Sequence, residues 1–168
     1  MYRIFSAPVK ANGCDPDWIQ FQNVCLKYVN TYASVTNAIS YCNASGAYLV
    51  EITNPIKQCF VEQNLLLNEV TWTGLKDVVG DDQLSSHRWM HSNLSILETG
   101  YTKWSNLSPD KTYQECIALV LTGSGDWKWY DRECTNLYHF ICEKGKNPLT
   151  SISVHMTIKN NIFYMYGC

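Results

Sequence analysis

Hydrophobic positions follow two rhythms along the first half of the chain. In residues 17 to 28, Trp18, Ile19, Phe21, Val24 and Leu26 alternate with polar residues around a short break, which predicts an early strand pair. Ser34 is a suitable helix cap. Ala38, Ile39, Tyr41 and Cys42 follow at helical spacing, and Gly46 ends the run. Residues 48 to 52, Tyr-Leu-Val-Glu-Ile, read as a strand. Asn54 followed by Pro55 is a second helix start, because proline at the first helical position lacks only an N–H that would have no partner there. In this helix Ile56, Phe60, Asn64 and Leu67 recur about every turn, with Phe60 and Leu67 expected to face inward.

The second half changes character. Trp72-Thr73-Gly74-Leu75 is a short strand. Residues 76 to 115 are dense in Asp, Ser, Asn and Gly, with apolar islands at Trp89-Met90 and around Tyr101 and Trp104. A connection this long inside a compact domain is functional or disordered. The aromatic islands and flanking cysteines favour an ordered loop. Residues 116 to 122, 127 to 130 and 138 to 142 read as three strands, with Thr122-Gly123-Ser124-Gly125 as a turn. Beyond Lys144, Ile152, Val154, Met156 and Ile158 alternate with polar residues, which suits a strand with one buried face. There is no internal repeat. The reading is an α+β chain with two helices and small antiparallel sheets. It divides into a lead at 1–13, a domain at 14–144 and a tail at 145–168.

Composition narrows the function. The chain has 168 residues, 46% hydrophobic and 17% charged, enough apolar material for one core and too ordered a composition for a disordered chain. A net charge of -2 leaves no basic field for nucleic acid. The longest apolar runs are far too short to span a bilayer. Eight cysteines indicate a disulfide framework and an oxidising compartment. Zinc is the competing use, but there is no Cys-x-x-Cys pair, and His87, His91, His139 and His155 lack the paired spacing of a tetrahedral site. Acceptor triplets for N-glycosylation begin at Asn43, Asn93 and Asn106, which also suits a secreted protein. Pro8 and Lys10 interrupt any signal-peptide core at the start, so the sequence reads as a fragment. No nucleophile elbow, zinc-protease motif or phosphate loop is present, and the expectation is a binding protein with no catalytic activity.

The ordered motifs resemble the C-type lectin-like domain over residues 14 to 143. Trp18-Ile19-Gln20-Phe21 with Cys25 resembles the family's opening W-x-x-F…C. Trp72-Thr73-Gly74-Leu75 resembles W-I-G-L. Ser108-Pro109-Asp110 stands at the sugar-specifying E-P-N or Q-P-D triplet. Trp129-Tyr130-Asp131 followed by Cys134 stands at W-N-D-x-x-C, and Phe140-Ile141-Cys142-Glu143 matches the closing F-I-C-E. The resemblance implies disulfides Cys14–Cys25, Cys42–Cys142 and Cys116–Cys134, each worth roughly 2–4 kcal/mol by the chain-entropy model. Cys59 and Cys168 are left over. Cys59, beside Phe60, is placed toward the outside of its helix. Three uses stay open for the pair: an inert thiol, a disulfide-linked dimer through Cys59 or Cys168, or a Cys59–Cys168 bond.

The resemblance further implies recognition of glycans, with a protein ligand or a mineral or ice surface as the alternative. In sugar-binding members one Ca²⁺ bridges protein and sugar hydroxyls, within a shell of roughly six to eight oxygens. Here the corresponding places hold Ser108, Asp110, Gln114, Tyr130 and Asp131, with only Asp110 and Asp131 as carboxylates. An accessory Ca²⁺ would use Asp77, Asp81 and Glu115, with Asp82 as a further candidate. By charge the accessory site is expected to be the better of the two. Trp129 is expected in the core. Trp72, Trp89 and Trp104 are expected as anchors of the core and loop, and Trp127 is left open between a core and a ligand-stacking role.

Overall fold

The computed structural model describes residues 13–110 and 113–146. The expected strand in the 152–158 region, and Cys168, lie outside them. Eight strands are described: β1 (Ile19–Phe21), β2 (Val24–Ala33), β3 (Tyr48–Leu49), β4 (Thr71–Asp77), β5 (His87–Trp89), β6 (Cys116–Leu121), β7 (Trp127–Arg132) and β8 (Tyr138–Gly145). They form one sheet in the order β1-β2-β8-β4-β6-β7, with β3 paired to β8 and β5 to β4. The β2–β8 pair sets Leu26 opposite Glu143 and Val29 opposite Phe140, so the two ends of the domain share one ladder. The other pairs are antiparallel, but β4 runs parallel to β8. Three helices pack on this sheet: α1 (Val35–Asn43), α2 (Pro55–Asn64) and the short α3 (Ile96–Thr99). The fold is α+β, as expected.

Local chemistry explains the helix starts. The Ser34 hydroxyl accepts the Asn37 N–H and begins α1, whose buried face is Val35, Ala38 and Cys42. Asn54 Oδ1 accepts the Lys57 N–H at 2.9 Å, and Pro55 opens α2. The buried face of α2 differs from the expected one. Phe60 is only half-buried, against Phe21 at 4.8 Å, and Leu67 lies past the helix at 59% exposed. Lys57, Gln58, Cys59 and Val61 face inward instead. The polar ones can do so because each has a partner: the Lys57 ammonium sits 2.6 Å from the Glu143 carboxylate, and Gln58 accepts the Trp129 indole N–H at 2.9 Å. Hydrophobic periodicity does not register an inward face built of satisfied polar groups.

The 48–52 strand is shorter than its pattern suggests, because only Tyr48 and Leu49 stay on the β8 ladder. Val50 still donates to the Ile141 carbonyl at 2.9 Å and accepts from Gly74 at 2.8 Å. That close crossing explains the glycine of the Trp-Thr-Gly-Leu strand: a Cβ on Gly74 would meet the Leu49 carbonyl oxygen at 2.6 Å.

Two apolar clusters fill the sheet's faces. One contains Leu26, Ile52, Leu75, Trp89, Ile117 and Trp129; the other contains Val35, Ala38, Trp72 and Phe140. Trp127 is 7% exposed and belongs to the first, which settles it as a core residue. Disulfides join Cys14–Cys25, Cys42–Cys142 and Cys116–Cys134. Of these three, Cys42–Cys142 closes the longest loop, at a separation of 100 residues, worth about 4–5 kcal/mol by the chain-entropy model. Cys59 is also disulfide-bonded. It is buried at 5% exposed, against the outward placement expected from sequence, because the α2 face it shares with Val61 and Gln58 is the one turned to the sheet.

Removing one member of the buried pair should cost far more than removing a surface pair. Lys57→Ala leaves the Glu143 carboxylate with neutral donors in place of its counter-ion, the Glu51 N–H at 3.0 Å and the Tyr48 hydroxyl. It should lower unfolding free energy by roughly 3–5 kcal/mol in urea titration. Glu69→Ala, whose carboxylate only receives the exposed Tyr32 hydroxyl at 3.4 Å, should change it by less than about 1 kcal/mol.

Candidate functional site

The described residues of the long loop form regular turns and bridges, and β7 organises the part around Trp104 to Asp110. Side chains of β7 alternate: Trp127, Trp129 and Asp131 are buried, while Lys128, Tyr130 and Arg132 are partly exposed. The loop runs alongside as a short parallel bridge between Trp104 and Trp129. Trp129 N–H donates to the Lys103 carbonyl at 2.8 Å, and Ser105 N–H donates to the Trp129 carbonyl at 3.0 Å. The chain then turns through a cis Ser108–Pro109 bond. It delivers the Asp110 N–H to Asp131 Oδ2 at 3.0 Å. Asp110 itself is exposed and Asp131 is 1% exposed.

Asp131 Oδ1 is buried with no hydrogen-bond partner. A buried, unpaired carboxylate oxygen is costly, and a cation or a hydroxyl donor would relieve it. Around it, Tyr130 lies under the Arg132 guanidinium, whose carbon is 4.7 Å from the ring centroid. Gln114 stands two residues before Cys116, which is paired in register with Arg132. Ser108 is half-buried one residue before Pro109. The structure thus brings Asp110 and Asp131 into contact, with Ser108 and Tyr130 next to them in the chain.

Of the accessory set, Asp77 and Glu115 are brought together by the Asp77 N–H, which donates to the Glu115 carbonyl at 2.8 Å. Asp77 Oδ1 accepts the Val79 and Gly80 N–H groups at 3.0 and 2.9 Å, and Oδ2 accepts the Asp82 N–H at 2.7 Å. Asp81 Oδ1 is turned to the Gln83 N–H at 3.0 Å on the surface. Glu115 pairs with the Lys76 ammonium at 3.0 Å. Among the described residues no three acidic, histidine or cysteine side chains gather as a metal cluster. Asp77, Asp81 and Glu115 each have a partner for at least one carboxylate oxygen, whereas Asp131 Oδ1 has none. With two carboxylates, the Asp110–Asp131 place fits a cation only if ligand hydroxyls complete its shell.

Asp82, beside the expected Asp81, is the acid that faces the others. Partial burial, then the carboxylates of Asp131 and Asp77, push its carboxyl above the usual range; His87 opposes this and Asp110 adds to it. Two adjacent aspartates in a loop carry no periodic signal, so only the folded turn sorts them. His87, fully buried, holds the Gln83 carbonyl through Nδ1 at 2.9 Å and meets Trp104 edge-on at 5.2 Å.

Comparisons with known proteins agree with the fold. The family description Lectin C-type domain matches residues 31–144. C-type lectin domain family 4 member G of Mus musculus is 29% identical over 134 residues, covering 78% of this chain and 42% of that protein. Asialoglycoprotein receptor 1 of Rattus norvegicus is 28% identical over 150 residues, covering 82% of this chain and 48% of the receptor. The chain thus spans less than half the length of these relatives. Among solved structures, the C-type lectin domain of murine dendritic cell inhibitory receptor 2 in complex with N-glycan superposes with a TM-score of 0.71 at 26% identity, covering 79% of this chain and 99% of that one.

Asp77 yields a pH test. Burial alone would raise its carboxyl, but the Gly80, Asp82 and Val79 N–H groups, with His87, outweigh burial and hold it below the ordinary value. A lowered folded value stabilises the protein above the unfolded carboxylate range, and that stability is lost as pH falls through the folded value. Asp77→Asn should cost roughly 1–3 kcal/mol near neutral pH in chemical denaturation. Its gap to the wild type should narrow as pH falls below about 4.

Proposed function

The chain belongs to the C-type lectin domain family, and from that premise we propose that it is an extracellular recognition domain that binds carbohydrate at the face formed by its long loop and the β6–β7 hairpin. The observation that carries the reading is Asp131 Oδ1, buried without a partner where the loop presents Asp110. A saccharide brings adjacent hydroxyls, which are the donors this oxygen lacks. The exposed Asp110 carboxylate, the Ser108 hydroxyl and the Gln114 amide would accept and orient further hydroxyls. A bound Ca²⁺ would supply the positive charge that both carboxylates and the sugar oxygens share. The murine dendritic cell receptor domain, solved in complex with N-glycan, supports a glycan as the ligand class. A binding role, without catalysis, goes with this reading.

Disulfides and glycosylation triplets support a location outside the cell. Asn43, Asn93 and Asn106 are all exposed, as acceptors must be. No helix of the described residues is long and apolar enough to cross a membrane. The second reading, a protein ligand, draws on the apolar side chains of the same loop. Leu107 is 75% exposed and Tyr113 fully exposed, and large exposed side chains near a polar site suit a protein surface.

Glycan-array binding of the refolded, disulfide-intact chain, in Ca²⁺ and in EDTA, tests the proposal. Binding is expected in Ca²⁺, and Asp131→Ala should weaken it by at least about tenfold, equivalent to about 1.4 kcal/mol. A folded protein that binds no glycan in either buffer would leave the protein-ligand reading standing alone.

A further inference from the structure

On the other side of Tyr130 from Asp131 lies a cleft of about 420 Å³. One wall is the loop at Ser105, Asn106 and Leu107; the other is the β6–β7 turn at Thr122 and Ser124, with Lys128 and Tyr130 on the strand between them. Its size is within the range of small-molecule sites. Building on the carbohydrate reading, we propose that this cleft is a second saccharide subsite that takes a negatively charged sugar unit, carboxylated or sulfated, without a metal ion.

The walls are held before any ligand arrives. Ser105 is fixed by its N–H bond to Trp129, and its hydroxyl accepts the Leu107 N–H at 3.1 Å. Across the cleft, Thr122 N–H donates to the Asp126 carbonyl at 2.8 Å, its hydroxyl bonds the same carbonyl at 2.8 Å, and Gly125 N–H closes the turn onto Thr122 at 2.9 Å. The Thr122 and Ser124 hydroxyls are 2.8 Å apart. Tyr130 is backed by Arg132. A preformed cleft spares a ligand the cost of ordering its walls.

The side chains present a matched chemistry. Ser124 and the Tyr130 phenol offer hydroxyl groups that both donate and accept, which suits a ring bearing several hydroxyls. Leu107 and the Tyr130 ring offer apolar surface for the ring's C–H face. Among the described residues Lys128 is the one charged side chain lining the cleft, and it selects the sign of the ligand. Its present partner is Asp126 at 3.7 Å, on a side chain 61% exposed. An exposed pair at that distance is weak, so a carboxylate or sulfate held by the surrounding hydroxyls can displace it.

Lys128 sits on the outward face of β7, and the Asp110–Asp131 place is reached from the inward-facing Asp131, so the two subsites can be separated by mutation. The test is titration of the refolded, unglycosylated full chain with sialyllactose, sulfated lactose and lactose, in Ca²⁺ and in EDTA. The charged ligands should bind tighter than lactose and keep that advantage in EDTA. The two charged ligands distinguish a carboxylate from a sulfate as the preferred group. Lys128→Glu should weaken the charged ligands by about tenfold and leave lactose unchanged. Asp126→Asn, which removes the competing carboxylate, should strengthen the charged ligands severalfold, an effect no loss of structure would produce. If the wild type binds lactose or array glycans but Lys128→Glu and Asp126→Asn change nothing selectively, the subsite is overturned and the carbohydrate reading stands. If the folded wild type binds no saccharide, both fall.

Discussion

The buried indole of Trp129 is the point on which the binding face depends. Its N–H is held by Gln58 of α2, its backbone is bonded on both sides to the long loop at Lys103 and Ser105, and its ring meets Trp89, Tyr101 and Trp104 edge-on at 5.7–5.8 Å. One residue thereby fixes a helix, the loop and β7 against one another. Truncating such a side chain removes about 3–5 kcal/mol of packing. Here it would also free the segment that carries Ser108 and Asp110 to Asp131.

From that anchor, the period of two along β7 divides the labour. Inward Asp131 meets the loop's Asp110 and keeps an unpaired oxygen. Outward Lys128 and Arg132 flank Tyr130 and place positive charge on the opposite side of the same strand. A single strand thus presents a carboxylate toward one part of the loop surface and cations toward the next. The ion pair between Lys76 and Glu115, with the backbone collar around Asp77, serves the loop's entry by other means. Those contacts tie the loop's entry to the chain itself.

Much of this was legible in the sequence where the signal is local. Ser34 and Asn54-Pro55 mark helix starts because capping depends on residues a few positions apart. The tryptophan and cysteine motifs identified the family and its three described disulfides. The signal fails where partners are distant in sequence. Lys57 and Gln58 look like surface residues until partners more than 70 positions away engage them, Glu143 accepting from the first and Trp129 donating to the second. Asp82 cannot be told from Asp81 without the turn that sends one toward Asp131 and the other toward solvent. The Lys128 cleft escapes for the same reason, since its two walls come from the loop and a hairpin and meet only in the fold.

The most direct measurement is backbone amide chemical-shift mapping during titration with a binding saccharide. The account predicts that the perturbed amides cluster at Ser105, Asp110, Lys128, Tyr130 and Asp131, with the shifts saturating together with ligand occupancy. A cluster instead at the smaller cavity of Ile39, Tyr48 and His91, beside α1 and β3, would contradict it, because that cavity is no part of the long-loop face.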